Sequence, residues 1–229
     1  MEFNLAAKNA DAEEWNKLDK AYSDMDIKYP HEVAVKNDWA QYLWDRGEKR
    51  LAMEKWEAVT KTDPKNAPAL SSLGNGYLGM GKIKRAADCF TRASESAPAN
   101  ASYHFDLANV VFMFRHDLLD AAAPDENRMI QRALSHFAEA SRLEPLNVEY
   151  AKAYGDVFYY LQPPDWTRAL TAWEHFLEIT PYKDFAYSNL ARVHMKLGQK
   201  AEARACVSRI QTPEFERLKA RLNERIDTE

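Results

Sequence analysis

The sequence predicts an all-α protein in which short helices stack as a linear array, or solenoid. Helix-forming residues dominate the sequence, and only 7 of its 229 residues are glycine. Small residues recur at a spacing of about 34 residues, which places Ala40, Gly74 and Ala108 in equivalent slots. Prolines such as Pro64 and Pro98 recur with the same spacing, and proline cannot continue a helix. Together these observations indicate repeated pairs of helices.

The repeated pattern is clearest between residues 73 and 98. A small residue is followed by an aromatic residue, then by Ala, Phe and Ala, and finally by Pro. These slots hold Leu73, Gly74, Tyr77, Ala86, Phe90, Ala93 and Pro98. Within each copy the apolar slots have helical spacing on two segments, so each copy predicts two amphipathic helices. Five tandem copies are predicted, at residues 33–66, 67–100, 101–147, 148–183 and 184–212.

This pattern resembles the tetratricopeptide repeat, whose unit of about 34 residues carries W-x₂-L-G-x₂-Y, then A-x₃-F, then P. The resemblance extends over residues 33–212 and implies a right-handed superhelix, with the first helix of each unit lining a concave groove. The signature tryptophan is the main departure from the family pattern. It is replaced by Lys36, Leu70, His104, Ala151 and Tyr187.

The ends and two of the units differ from the regular pattern. Residues 1–32 are predicted to form a partial unit, with a shortened first helix at about residues 2–9 and a second helix at residues 12–28. Residues 213–229 are predicted to form a capping helix. The third unit is longer by about thirteen residues, and a stripe that includes Phe114 and Leu118 predicts longer helices there. In the fourth unit, residues 162–165 lengthen the turn.

Several classes of function are disfavoured. A net charge of −4 argues against nucleic-acid binding, because phosphates require a surplus of Lys and Arg. No apolar run approaches the roughly 20 residues of a membrane span. No signal peptide is recognisable, which favours a cytoplasmic location, although the incomplete first unit is also compatible with a truncated chain. No catalytic motif is present, and the 2 cysteines exclude a structural zinc framework. We therefore expect neither an enzyme nor a cofactor or metal.

The resemblance also indicates which side chains would face the groove. In the family these are positions two, five, nine, twelve and thirteen of each unit, which share one helical face. Amides among them are suited to the backbone of an extended peptide, and the aromatic residues to its side chains. The candidate partner-binding residues are Asn37, Gln41, Trp44, Asn75, Phe105, Asn109, Phe112, Lys152, Asp156, Tyr159 and Arg192.

The function predicted from the sequence is a non-catalytic interaction module or scaffold that binds a peptide or protein partner in this groove. Two alternatives stay open. The first is a homo-oligomerising structural module, for example a homodimer formed through the long third unit or the capping helix. The second is a recruiting or regulatory segment of a larger enzyme. A concentration-dependent mass would support the first alternative, and a longer parent chain the second.

Overall fold

The computed structural model of the protein describes residues 12–30, 32–119 and 125–228. Within these ranges the regular structure is helical throughout and contains no strand, so the predicted all-α repeat fold is confirmed. The chain divides into two compact units, Met1–Pro98 and Ala99–Glu229. The helix predicted at residues 2–9, like Pro124 in the third repeat, lies outside the described residues.

The first unit contains consecutive helices joined by short turns. Gly47 and Gly81 lie in the turns within the helix pairs and have φ values of 91° and 69°. Side chains disfavour this left-handed region, which explains why glycine recurs there. The helices are α1 (Ala12–Lys28), α2 (Val33–Asp45), α3 (Lys49–Thr62), α4 (Ala67–Gly79) and α5 (Ile83–Ser96).

The second, third and fourth repeats each start with an asparagine cap. The Asn66 side chain accepts a hydrogen bond from the backbone N–H of Ala69 at 3.1 Å. Asn100 and Asn147 accept equivalent bonds at the starts of the next two repeats. Such a cap satisfies a backbone donor that has no partner inside the helix. A Pro-x-Asn sequence therefore ends one repeat and begins another.

The small and aromatic slots of the pattern meet in space. A Cβ atom at Gly74 would lie 2.8 Å from the ring of Phe90, which is buried. In the second unit, a Cβ atom at Gly155 would lie 2.8 Å from the ring of Trp173. Glycine thus allows the backbone of the first helix to rest directly on a ring of the second helix. This contact is the physical basis of the repeated spacing.

A charged cluster fastens α1 to the next two helices. The Asp26 carboxylate pairs with Lys36 of α2 and, at 3.0 Å, with Lys55 of α3. Although burial raises the pKa of Asp26, the hydrogen bonds and charges of the two lysines outweigh it and lower the pKa overall. The carboxylate is therefore ionised in the folded protein at neutral pH and stabilises the packing of α1.

Replacing Asp26 by asparagine is expected to lower the free energy of unfolding by about 1–3 kcal/mol at neutral pH, because two lysines lose their anionic partner. Urea unfolding followed by circular dichroism measures this. Exposed Asp24, on the same helix, provides the matched control Asp24→Asn. Because the pKa is lowered on folding, the difference between wild type and Asp26→Asn should shrink as the pH falls through that pKa. Equal effects of the two variants would contradict this role.

The second unit continues the arrangement of helix pairs. In each pair of this unit, the first helix carries some of the predicted groove residues. The elements are α6 (Ala101–Met113), α7 (Glu126–Leu143), α8 (Val148–Val157) with a 3₁₀ turn (Phe158–Tyr160), α9 (Trp166–Ile179), α10 (Lys183–Lys196), α11 (Lys200–Ser208), a second 3₁₀ turn (Pro213–Phe215) and α12 (Glu216–Thr228).

The third repeat differs in part from its prediction. Helix α6 ends at Met113, so the predicted continuation through Phe114 and Leu118 is wrong: both lie in turns. At this end Arg115 donates to the carbonyl of Phe112 at 2.9 Å, which gives one of the last carbonyls of the helix a partner, and it pairs with Glu126 at the start of α7. The second helix is longer, as expected, with 18 residues in α7 against 14 in α5.

A pair of histidines joins α6 to α7. The Nδ1 atoms of His104 and His136 lie 3.0 Å apart, so one ring donates an N–H to the other. The rings are stacked with centroids 5.3 Å apart, and His104 is buried. Burial and the neighbouring His104 lower the pKa of His136 to about 4. His136 is therefore uncharged in the folded protein near neutral pH.

The last helix closes the apolar core of the second unit. Leu222 and Ile226 are almost fully buried and pack with Val207 and Ile210, while Phe215 covers the edge of the same cluster. The outer side of α12 is charged. This is the cap expected of a helical array, since the final pair would otherwise leave an apolar face in water.

Candidate functional site

The predicted groove residues all lie on the first helices of their repeats. Four belong to the first unit, on α2 and α4, and seven to the second, on α6, on α8 with its 3₁₀ turn, and on α10. The ninth position of each repeat is polar throughout. It is filled by Gln41, Asn75, Asn109, Asp156 and Arg192.

In the first unit, part of this set serves the fold. The Asn37 amide donates to Oδ1 of Asn66 at 3.0 Å, the atom that caps α4. Gln41 donates to Asp45 at 3.0 Å within α2. Asn75, in contrast, is exposed, and its side chain makes no hydrogen bond within the described part of the chain. Asn75 is therefore the amide of this unit that is available to a ligand.

Trp44 is half-buried at the end of α2. Its ring lies 5.6 Å from the ring of Trp56, and the Lys49 ammonium lies 5.2 Å from its centroid. A cation over an aromatic face is favourable and holds the ring in place. Trp44 thus combines a structural contact with an accessible edge.

In the second unit, the structure gathers the predicted aromatic residues. Phe105 lies 4.6 Å from Tyr150, and Phe112 lies 5.0 Å from Tyr160. Both phenylalanines also approach the ring of Phe137, at 5.8 and 6.4 Å. Asn109 lies one helical turn from each phenylalanine on α6. It is half-buried and, among the described residues, has no hydrogen-bond partner.

The remaining predicted polar residues are engaged within the fold. Lys152 pairs with Asp156 at 2.5 Å along α8. The Tyr159 hydroxyl donates to Oδ1 of Asn189 at 3.2 Å, and Arg192 donates to the same atom at 3.4 Å. Burial raises the pKa of Tyr159 to about 12, so the phenol stays protonated and acts as a donor. The sequence did not identify Asn189, which is buried and links the two residues.

A cavity in the second unit lies where α8 and α10 begin. Its volume is about 810 Å³, within the range of ordinary ligand pockets. Phe176, Phe185 and Phe215 form apolar walls, Tyr182 stands at its rim with 68% of its surface exposed, and Lys152 is the predicted groove residue that borders it. The sequence analysis did not predict this cavity. The feature that could have indicated it is Tyr182, an aromatic residue outside the repeat slots.

Two hydrogen-bonded turns fix the shape of this cavity. The Thr180 hydroxyl accepts the backbone N–H of Tyr182 at 3.1 Å. The Asp184 carboxylate accepts the backbone N–H groups of Gln211 at 3.0 Å and Thr212 at 2.6 Å. Although burial raises the pKa of Asp184, these hydrogen bonds lower it overall. The turn that carries Phe215 is therefore tied to α10 by an ionised carboxylate.

Two stretches of the chain match family models described as tetratricopeptide repeat, at residues 71–132 and 186–210. The chain is a tetratricopeptide repeat protein. No curated protein matches its sequence. Tetratricopeptide repeats are generally non-catalytic and stack into extended binding surfaces, so this chain has the fold of a protein–protein interaction scaffold.

Solved structures of other tetratricopeptide repeat proteins share this fold. YrrB, described as having an unusual peptide-binding site, is 17% identical over 89% of this chain and 98% of its own, with a TM-score of 0.69. A structure of MamA is 21% identical over 82% of this chain and 94% of its own, with a TM-score of 0.61. A second MamA structure gives 18% identity, coverages of 83% and 97%, and a TM-score of 0.57. At these identities the likeness concerns the fold alone.

Other features of the described residues bear on the class of function. None of the helices there has the length and apolar character required to cross a membrane. The same part of the chain holds no cluster of three or more His, Cys, Asp or Glu side chains suited to a metal ion.

Proposed function

We propose that this tetratricopeptide repeat protein is a non-catalytic scaffold that binds an extended peptide segment of a protein partner on the first helices of its repeats. One observation carries the proposal. Of the polar residues at the ninth repeat position, Asn75 and Asn109 make no side-chain hydrogen bond within the described residues. Their equivalents Gln41, Asp156 and Arg192 each contact a neighbouring polar side chain.

An asparagine side chain suits a peptide backbone because it offers both donors and an acceptor. The Asp156 carboxylate, which pairs with Lys152, offers acceptors but no donor. Each of the two amides can therefore pair, in its own unit, with the N–H and C=O of an extended segment. A peptide-binding site is described for YrrB, but the proposal for this chain rests on its own amides.

Apolar groups beside Asn109 support the same function. Met113 and Tyr160 expose 66% and 49% of their surfaces, and Phe112 packs on Tyr160. Exposed apolar and aromatic groups next to unpaired polar groups are typical of recognition surfaces. In the second unit they would receive side chains of the segment whose backbone is held by Asn109.

The variants Asn75→Ala and Asn109→Ala, each made alone, are expected to weaken peptide binding about fivefold, because each removes a hydrogen bond to the ligand. The ligands are peptides selected from a phage-displayed random dodecapeptide library on the full chain and then synthesised for fluorescence anisotropy. The thermal unfolding temperature should be unchanged or slightly higher, since alanine favours helices and neither amide has a hydrogen-bond partner to lose among the described residues.

Asn223→Ala, on an exposed site of α12, is the matched control and should leave affinity unchanged. Failure of the library to yield any binding peptide would overturn the proposed function. So would full affinity in both amide variants, because the ligand would then lie elsewhere.

A further inference from the structure

We infer that the cavity at the start of α8 and α10 receives one bulky apolar side chain of the partner, next to which the partner carries a lysine or arginine. This inference rests on the proposed function and specifies which segments the scaffold selects. Two independent features of the cavity support it: its apolar walls, and Glu149 at its rim, an acidic side chain that has no partner in the described part of the chain.

The apolar walls require an apolar occupant. Phe176 is only 1% exposed at the base, and Phe185 and Phe215 line the sides. Tyr182 leaves most of its ring in water at the rim. A leucine, methionine or phenylalanine entering here would cover this surface and be removed from water itself. Burying such a side chain changes affinity by about tenfold or more relative to alanine.

The charges at the rim select the neighbouring residue. Lys152 pairs with Asp156, and Lys183 and Asp184 carry opposite charges, so these four side chains together add no net charge at the rim. Glu149 is exposed and forms no ion pair or hydrogen bond through its side chain among the described residues. The charge left for a ligand is therefore negative, which favours a cation beside the apolar anchor.

The position of the cavity links it to the peptide surface. Lys152 and Asp156, at positions five and nine of the fourth repeat, lie on the same helix as Glu149. The bonds of Tyr182 to Thr180 and of the 211–212 backbone to Asp184 fix the rim in the unbound protein. A preformed pocket loses little conformational freedom when it is filled, so the anchor contributes to affinity efficiently.

The test uses the random dodecapeptide library described above, selected on the full chain. The enriched peptides are expected to share a bulky apolar residue adjacent to Lys or Arg. Synthetic versions in which the apolar residue is alanine should bind about tenfold more weakly. Versions in which the basic residue is glutamate should also lose affinity.

Two variants locate the effect in the cavity. Tyr182→Ala removes an exposed ring that makes no side-chain cap, so folding should be preserved, and affinity should fall about tenfold. Glu149→Lys should reverse the preference for a basic neighbour. Glu202→Lys is its matched control, because Glu202 is also an exposed acidic residue in the first turn of a helix, and it should have no effect.

The alternatives give different results. The inference would be overturned by peptides that bind but lack this pattern, or that bind both cavity variants with unchanged affinity. The proposal of peptide binding would then still hold. If the selection enriches no peptide at all, both proposals are overturned. The remaining possible occupant is a second copy of the chain, and sedimentation of the same protein tests it by measuring the oligomeric state. A dimer that Glu149→Lys dissociates would assign the cavity to that second copy and overturn the inference.

Discussion

Replacing Trp173 by alanine is expected to lower the free energy of unfolding by about 3–5 kcal/mol, the range for truncating a large buried aromatic residue. Trp173 is fully buried and packs on Phe176 at 5.4 Å and Phe185 at 5.8 Å. Its ring also supports the backbone at Gly155. Truncation would leave a cavity between α8, α9 and α10 that glycine cannot fill.

Urea unfolding followed by circular dichroism measures this loss. Trp166→Ala, at a half-buried site on the same helix, is the matched control and should cost clearly less. Trp173→Phe should retain part of the stability, because a smaller ring still covers Gly155. A loss of less than 1 kcal/mol for Trp173→Ala would mean that α8 does not rest on this ring.

The contact between Gly155 and Trp173 also shows why the fold could be predicted from the sequence. The two slots lie within one repeat, and the helical period alone places them on facing sides of neighbouring helices. The same reasoning locates Gly74 against Phe90. Local caps such as Asn66 then set where each pair begins. Short-range geometry is thus sufficient to identify the repeated fold.

The candidate site was less predictable, because the hydrogen bonds of its side chains involve partners that are distant in the sequence. The position of Asn37 on α2 was evident, but its bond to Asn66 joins two repeats. Buried Asn189 connects Tyr159 to Arg192 without any feature in the sequence pattern. Which amides remain unpaired is therefore decided by side-chain geometry that periodicity does not contain.

The cavity illustrates the same limit more strongly. It requires two helix starts and the turn at Phe215, and that turn is held by Asp184. Phe176 alone would be assigned to the core, where its burial does place it. Only Tyr182, an aromatic residue outside the slots, departs from the pattern.

Because His136 is half-buried against His104, we expect the free energy of unfolding to fall in mild acid. His136 has its pKa lowered from 6.5 to about 4, first by burial and then by the proximity of His104 and Arg132, against the opposing charge of Glu139. In the unfolded chain its pKa returns to about 6.5. Between these values the unfolded chain binds a proton that the folded protein does not, so stability falls as the pH falls.

The expected loss from His136 is about 2 kcal/mol between about pH 7.5 and pH 4.5, after allowance for the half-exposed ring. Above the unfolded pKa the effect is absent, and below about pH 4 it stops growing, because both states are then protonated. Carboxylates titrate over the same range, so the measurement must be a difference between two proteins. Urea unfolding of wild type and His136→Gln at several pH values provides it.

The variant is expected to have a shallower decline in stability than the wild type, whatever its stability at neutral pH. This comparison of slopes separates titration of His136 from any packing cost of the substitution. His116→Gln, at a histidine of the same unit that is 66% exposed, is the control and should leave the slope unchanged. Parallel declines for wild type and His136→Gln would show that the ring accepts a proton in place, and that the contact between α6 and α7 tolerates a charge.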